Sequence, residues 1–243
     1  MSAIPVSGRV AVSTALPAVT TPRLVAGLAV LQVALFAVPM VVLGRAIGWP
    51  ASLRLPASEA LPLVAANLQA VLFGYWAYLL VSVAMVPLAF ALRSLAAERG
   101  RSGPMIDALA FIGAAAGILK TLGIVRWLSA MPALATAHAG ADAAGRATIE
   151  TAYLALNAYA GSVGELLGVQ LLSGLWLLGT AAVLVGIGLR LTGLLGGLAG
   201  LLFLATTLRT FDPAIAALQS VAVPVALLWF LVLAAAMLRR RAA

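Results

Sequence analysis

Three ionisable side chains, Lys120, Arg126 and Glu165, fall within or at the edges of stretches that are otherwise apolar. A charge in hydrocarbon is costly, and it is usually retained facing protein, water or a ligand. At about 100° per residue, Lys120 shares a stripe with Gly113, Gly117 and Trp127, and Glu165 shares one with Gly161, Gly168 and Trp176. Small residues let a neighbouring backbone approach closely, so each charge is expected to face another helix. Counted along the helix, Lys120 lies roughly 21 Å from the cytoplasmic end of its span and Glu165 about 6 Å inside the outer end of the next. Opposite charges at similar depth on antiparallel neighbours suit a pairing of Glu165 with Lys120 or Arg126. Two readings stay open. The pair is a lock that holds two helices in register, or it belongs to a polar pocket, open to the outside, that binds a small ligand or an ion. Lys120, Arg126, Trp127, Asn157 and Glu165 are the binding candidates; Asn67, Gln69, Tyr75, Tyr159, Ser162 and Gln170 would line the pocket if turned inward.

Other chemistries have little support. The absence of cysteine excludes disulfides, thiolate metal sites and cysteine nucleophiles, and a single histidine, His138, excludes paired-histidine haem or zinc ligation within one chain. No H-E-x-x-H helix is present. Gly161-Ser162-Val163-Gly164 resembles the setting of an intramembrane serine nucleophile, but no span carries the required histidine. A lone intramembrane lysine suits a retinal Schiff base only on the last of seven helices, whereas Lys120 is on the third of six. Neither a catalytic residue, a metal site nor a cofactor is therefore nominated. Asp107 reads as a helix N-terminal charge, and Tyr75-Trp76 with Tyr78 as an aromatic belt or helix packing.

The elements that must position these residues follow from composition. Of 243 residues 64% are hydrophobic and 9% charged, against roughly a quarter charged in an ordinary soluble domain. The expected fold is an all-α, polytopic transmembrane bundle of six helices, because about twenty apolar residues cross a bilayer. The spans read as residues 24–43, 63–92, 105–127, 161–189, 191–208 and 213–238, with the break near Arg190 deciding between six and five. Pro39, Pro87 and Pro224 fall inside spans, and Asp212-Pro213 supplies a helix start. Residues 1–23 read as a disordered cytoplasmic tail and 24–241 as one membrane domain. An amphipathic helix over about 147–160, with Ile149, Tyr153, Leu156 and Ala160 on one face, is expected at the outer surface. Arg9, Arg23, Arg93, Arg99, Arg101, Arg190 and Arg239–Arg241 fall on one side, against Arg45, Arg54, Arg146 and Arg209 on the other. That bias places both termini in the cytoplasm. The net charge of +8 is explained by those arginines, so no nucleic-acid partner is expected. Gly193, Gly196, Gly197 and Gly200 favour close packing of the fifth span, within the chain or in a homo-oligomer. Gly113, Gly117, Gly161, Gly164 and Gly168 are further packing positions.

Between Ile118 and Leu178 the wording resembles a known family. Ile118-Leu119-Lys120, Gly123, Arg126-Trp127 and Pro132 are followed by Leu156-Asn157-Ala158-Tyr159-Ala160-Gly161, Gly164-Glu165-Leu166-Leu167-Gly168 and Leu175-Trp176. This is similar to the bacterial membrane family catalogued as domain of unknown function forty-three eighty-six. The strong match covers about a quarter of the chain, and the family pattern would put His where Leu166 stands. The resemblance implies a six-span protein of the bacterial inner membrane and carries over no catalytic residue. The functional expectation is a non-enzymatic binding or accessory protein surrounded by membrane lipids. The alternatives are a small-solute or proton-linked transporter and, less favoured, a membrane enzyme acting on lipid.

Overall fold

The computed structural model describes residues 20–239, all of whose regular elements are helical. The first, α1 (Thr21–Ile47), opens with Pro22 in its first turn and closes on Gly48, whose φ of 67° lets its N–H bond back to the Gly44 carbonyl. Only glycine adopts that left-handed cap without strain. The expected tail over 1–23 falls outside the described residues as far as 19, while Thr21–Arg23 already belong to α1. After a 3₁₀ turn (Ala51–Arg54) come α2 (Ala57–Ala66) and α3 (Leu68–Glu98). The expected second span over 63–92 is thus two helices, broken at Asn67, whose side chain donates to the Leu63 carbonyl at 3.0 Å. Hydropathy runs through this break because both flanks are apolar.

Next come α4 (Pro104–Val125), α5 (Ala130–Gly140) and α6 (Ala143–Ser162), the last capped by Asp142 accepting from the Gly145 N–H at 2.8 Å. A ten-residue π-helical segment, Val163–Leu172, continues without interruption into α7 (Ser173–Gly186). The expected break is present: Gly188 has φ 82°, and α8 (Arg190–Thr206) starts at Arg190. Two 3₁₀ turns, Thr207–Thr210 and Pro213–Leu218, lead into α9 (Gln219–Arg239). Asp212 does cap, accepting from the Ala214 N–H at 2.9 Å, but the first turns after it are 3₁₀ rather than α. Pro39, Pro87 and Pro224 all lie inside helices.

Six helical stretches are long and apolar enough to cross a membrane, and the chain is a multi-pass membrane protein. Large apolar side chains such as Phe73, Phe111, Leu191 and Leu194 stand exposed around the bundle, where lipid solvates them. The spans form a closed circuit in chain order, α1–α3–α4–α7–α8–α9, with α9 returning to α1. Its interior holds Val25, Met85, Leu88, Phe203 and Leu233 around Trp176 and Trp229, whose rings meet edge-on at 5.6 Å. One end carries the start of α1 and the loops 99–103 and 187–189; there Thr21 donates to Glu98, and Arg93 pairs with Asp107 at 2.6 Å. Asp107 thus serves as the expected first-turn acid.

The opposite end carries a cap. Here α2, α5 and α6 pack together over a second core of Leu61, Val64, Trp127, Met131, Ala135 and Tyr153. The uninterrupted helix Ala143–Gly186 has a contour of about 66 Å, roughly twice the hydrocarbon thickness. Its first half therefore belongs to the cap. The expected amphipathic helix over 147–160 is α6, and it joins the fourth span directly. Only part of its stripe is used: Tyr153 is buried and Ile149 packs on the cap core, while Leu156 is exposed. His138, expected in a loop, lies in α5, buried, with Nε2 2.9 Å from Glu150 Oε1.

The glycines explain the close packing. Cβ atoms placed at Gly193 and Gly200 would fall 2.8 Å from the Ala181 and Gly174 carbonyls, and one at Gly196 would fall 2.6 Å from the Trp229 indole nitrogen. Gly197 is in ordinary contact with Ala181 at 3.6 Å. The glycine face of the fifth span is therefore filled by α7 and α9 of the same chain.

Candidate functional site

Arg126 stands where α4 gives way to the turn that enters the cap. Its Nε donates to Asn157 Oδ1 at 3.2 Å and its Nη1 to the Gly123 carbonyl at 2.5 Å. Its guanidinium carbon is 5.6 Å from the centroid of the Trp127 ring, a cation–π distance. Trp127 in turn stacks on Tyr75, with centroids 4.9 Å apart and planes 3° from parallel. Gly161 opens room for the guanidinium, since a Cβ there would sit 3.3 Å from Nη2. Arg126, Trp127 and Asn157 are thus brought together, from two helices that the sequence reading had already made neighbours.

Two phenols complete this cluster. Tyr75 and Tyr153 lie within electrostatic reach of Arg126, both are buried, and neither hydroxyl has a hydrogen-bond partner among the described residues. Buried polar atoms are nearly always paired. The guanidinium, the two phenols and the Asn157 carboxamide form a polar cluster rich in donors, with the Glu165 carboxylate also within electrostatic reach of Arg126. Tyr75 was a nominated lining residue; Tyr153 appeared in the sequence only as part of an apolar stripe. Its hydroxyl could have been flagged by its helical spacing, one turn before Asn157.

Among the described residues Glu165 forms no ion pair with Arg126 or Lys120, although it stands within electrostatic reach of Arg126. Its Oε2 accepts from Arg209 Nη2 at 2.8 Å, and among the described residues the ion pairs are Arg93–Asp107, His138–Glu150 and Arg209–Glu165. The expected lock between the third and fourth spans is instead a bond from the fourth span to the turn after α8. In the sequence Arg209 stands out only as a loop charge. Because α8 is the antiparallel neighbour of the fourth span, its end lies at the depth of Glu165, a proximity that hydropathy does not reveal.

Lys120 lies further into the bundle, where its Nζ is 2.7 Å from Met85 Sδ. Gly168 packs against it, a Cβ there falling 2.9 Å from both Lys120 Cγ and its backbone nitrogen. Gly164 meets Gly123 backbone to backbone, Gly113 meets the Trp176 indole and Gly117 the Ser82 carbonyl. Gly113, Gly117, Gly164 and Gly168 thus serve close helix packing, with Gly123 as a further partner, whereas Gly161 faces the Arg126 guanidinium. Of the other lining candidates, Tyr159 is exposed, Asn67 binds its own helix, and Gln170 is fully buried with neither amide atom partnered among the described residues. Tyr78 packs edge-on against Phe36 at 5.5 Å and Trp49 at 5.7 Å, while Trp76 is exposed.

The π segment carries Gly164, Glu165, Gly168 and Gln170 together. At its end the Gly168 carbonyl accepts from both the Ser173 N–H and, at 2.8 Å, the Ser173 hydroxyl. Such segments are rare and concentrate at functional positions. Comparison with protein-family models, curated proteins and solved structures returned no match.

Proposed function

We propose that this chain is a binding or accessory protein without enzymatic activity, seated in the inner membrane of a bacterium with both termini in the cytoplasm. A small polar ligand sits between the third and fourth spans at the cap end, held by Arg126, Asn157, Tyr75 and Tyr153. The observation that carries this reading is a pair of buried phenols, without a hydrogen-bond partner among the described residues, within electrostatic reach of an anchored guanidinium. The arginine bias supports the orientation and would put the cap outside. The resemblance around Arg126-Trp127 and Gly164-Glu165 supports placement among the six-span bacterial proteins named above.

The test is a thermal-stability screen of small acids, phosphates and polar metabolites on the purified protein, run in parallel on Arg126→Gln. Compounds that stabilise the parent should not stabilise the variant. If the variant is as stable as the parent and responds equally to the same compounds, the site is wrong.

A second reading, a small-solute or proton-linked transporter, is favoured by one feature. Among the described residues Lys120 has no carboxylate within ion-pair distance, and it packs against the π segment that also bears the unpartnered Gln170. Intramembrane charges of this kind mark ion or substrate paths. This reading predicts flux in proteoliposomes that Lys120→Gln abolishes. A parent protein without flux for any solute in the panel would remove it.

A further inference from the structure

An open cleft lies at the cap end, outside the Arg126 cluster. The 3₁₀ turn before α2, the last turn of α6 and the turns after α8 border this cleft of about 380 Å³, with Arg54, Ser162, Arg209 and Thr210 as its polar lining and Leu166, Pro213 and Ala216 as its apolar part. Ser162 follows Gly161, the residue facing Arg126, so this cleft opens on an adjoining face of the same helix.

Its charge is unbalanced. Arg54 is exposed, and among the described residues it has neither an ion pair nor a side-chain hydrogen bond. Arg209 gives only Nη2 to Glu165, which leaves its other N–H groups for a ligand. Thr210 bonds back to the Thr207 carbonyl at 3.1 Å, so Ser162 is the readier hydroxyl donor. Two guanidinium groups against one carboxylate repel a metal cation and suit an oxyanion, whose oxygens match the guanidinium fork.

The rim points to the ligand's other half. Phe211, between Thr210 and Pro213, is 87% exposed, and Leu208 and Leu218 in the flanking turns are exposed too. An anionic head against Arg54 and Arg209 would place an attached apolar chain along these side chains. The volume exceeds what a bare oxyanion fills.

We propose that this cleft binds a phosphate-type oxyanion, carried by a lipid headgroup. It is a site separate from the Arg126 cluster and does not depend on that cluster's role. The test uses the full-length protein in phosphate-free maltoside micelles, titrated with inorganic phosphate and, separately, with short-chain phosphatidylglycerol. At least one should bind the parent, more weakly as salt is raised. Arg54→Gln should weaken binding about tenfold, and its exposed position leaves folding intact. Binding of phosphatidylglycerol alone assigns the headgroup as the source. Equal binding of inorganic phosphate keeps the oxyanion site and overturns its lipid source. No binding of either, unchanged affinity in Arg54→Gln, or binding lost in Arg126→Gln and kept in Arg54→Gln would overturn the site itself.

Discussion

Replacing Gly123 by alanine tests the packing that holds the site together. A Cβ at Gly123 would lie 2.5 Å from Gly164 Cα, 2.9 Å from its nitrogen and 3.0 Å from the Ala160 carbonyl oxygen. Carbon contacts relax to about 3.5–4.0 Å, so α4 and the fourth span must part by roughly 1 Å. Both surfaces are backbone, and no side chain can swing aside. Overpacking of this kind costs about 1–3 kcal/mol. Alanine also gains about 0.5–1 kcal/mol over glycine in a helix interior, and Gly27→Ala isolates that gain because nothing lies within 4 Å of its added Cβ. Unfolding in mixed micelles should therefore place Gly123→Ala below Gly27→Ala by about 1–3 kcal/mol. Gly168→Ala meets Lys120 N at 2.9 Å and the Ala116 carbonyl at 3.2 Å, across the same interface. The double variant should lose less than the sum of the two, since one separation relieves both contacts. Equal stability of Gly123→Ala and Gly27→Ala would refute the close approach.

Glu165→Gln should cost less than about 1 kcal/mol, the range for partly exposed pairs, because Glu165 and Arg209 keep 41% and 26% of their side-chain surface exposed. A double-mutant cycle should find Glu165 coupled to Arg209 and not to Lys120; the reverse pattern would restore the lock first expected from the sequence. Reporter fusions after Arg101 and Arg241 should both report cytoplasm, and an external signal at either would overturn the proposed orientation.

Much of the fold was legible because lipid imposes a simple rule on long helices. The apolar runs, Arg190 and Asp212 before Pro213 mark their boundaries locally. The cap was less legible. Asn67 interrupts an apolar run without changing its hydropathy, and α5 is a short alanine-rich helix with no strong periodicity. In the site, Arg126 and Trp127 could be placed from the end of the third span, and Asn157 from the helix that leads into its antiparallel neighbour. The partner of Glu165 could not, since Arg209 is distant in sequence and reaches it only through the packing of α8. The π segment was hidden too, because its glycines fit an α stripe equally well until their contacts are known.

The most direct measurement compares Tyr75→Phe and Tyr153→Phe with the parent, with and without a compound that the parent binds. Each change removes one buried hydroxyl that has no partner among the described residues and nearly preserves volume. The ligand-free variants should be as stable as the parent or more stable by up to about 1 kcal/mol, because an unsatisfied polar group is gone. Their affinity for the compound should fall. Stability and affinity moving in these opposite directions is the predicted result; lower stability with unchanged affinity would contradict a ligand site at Arg126.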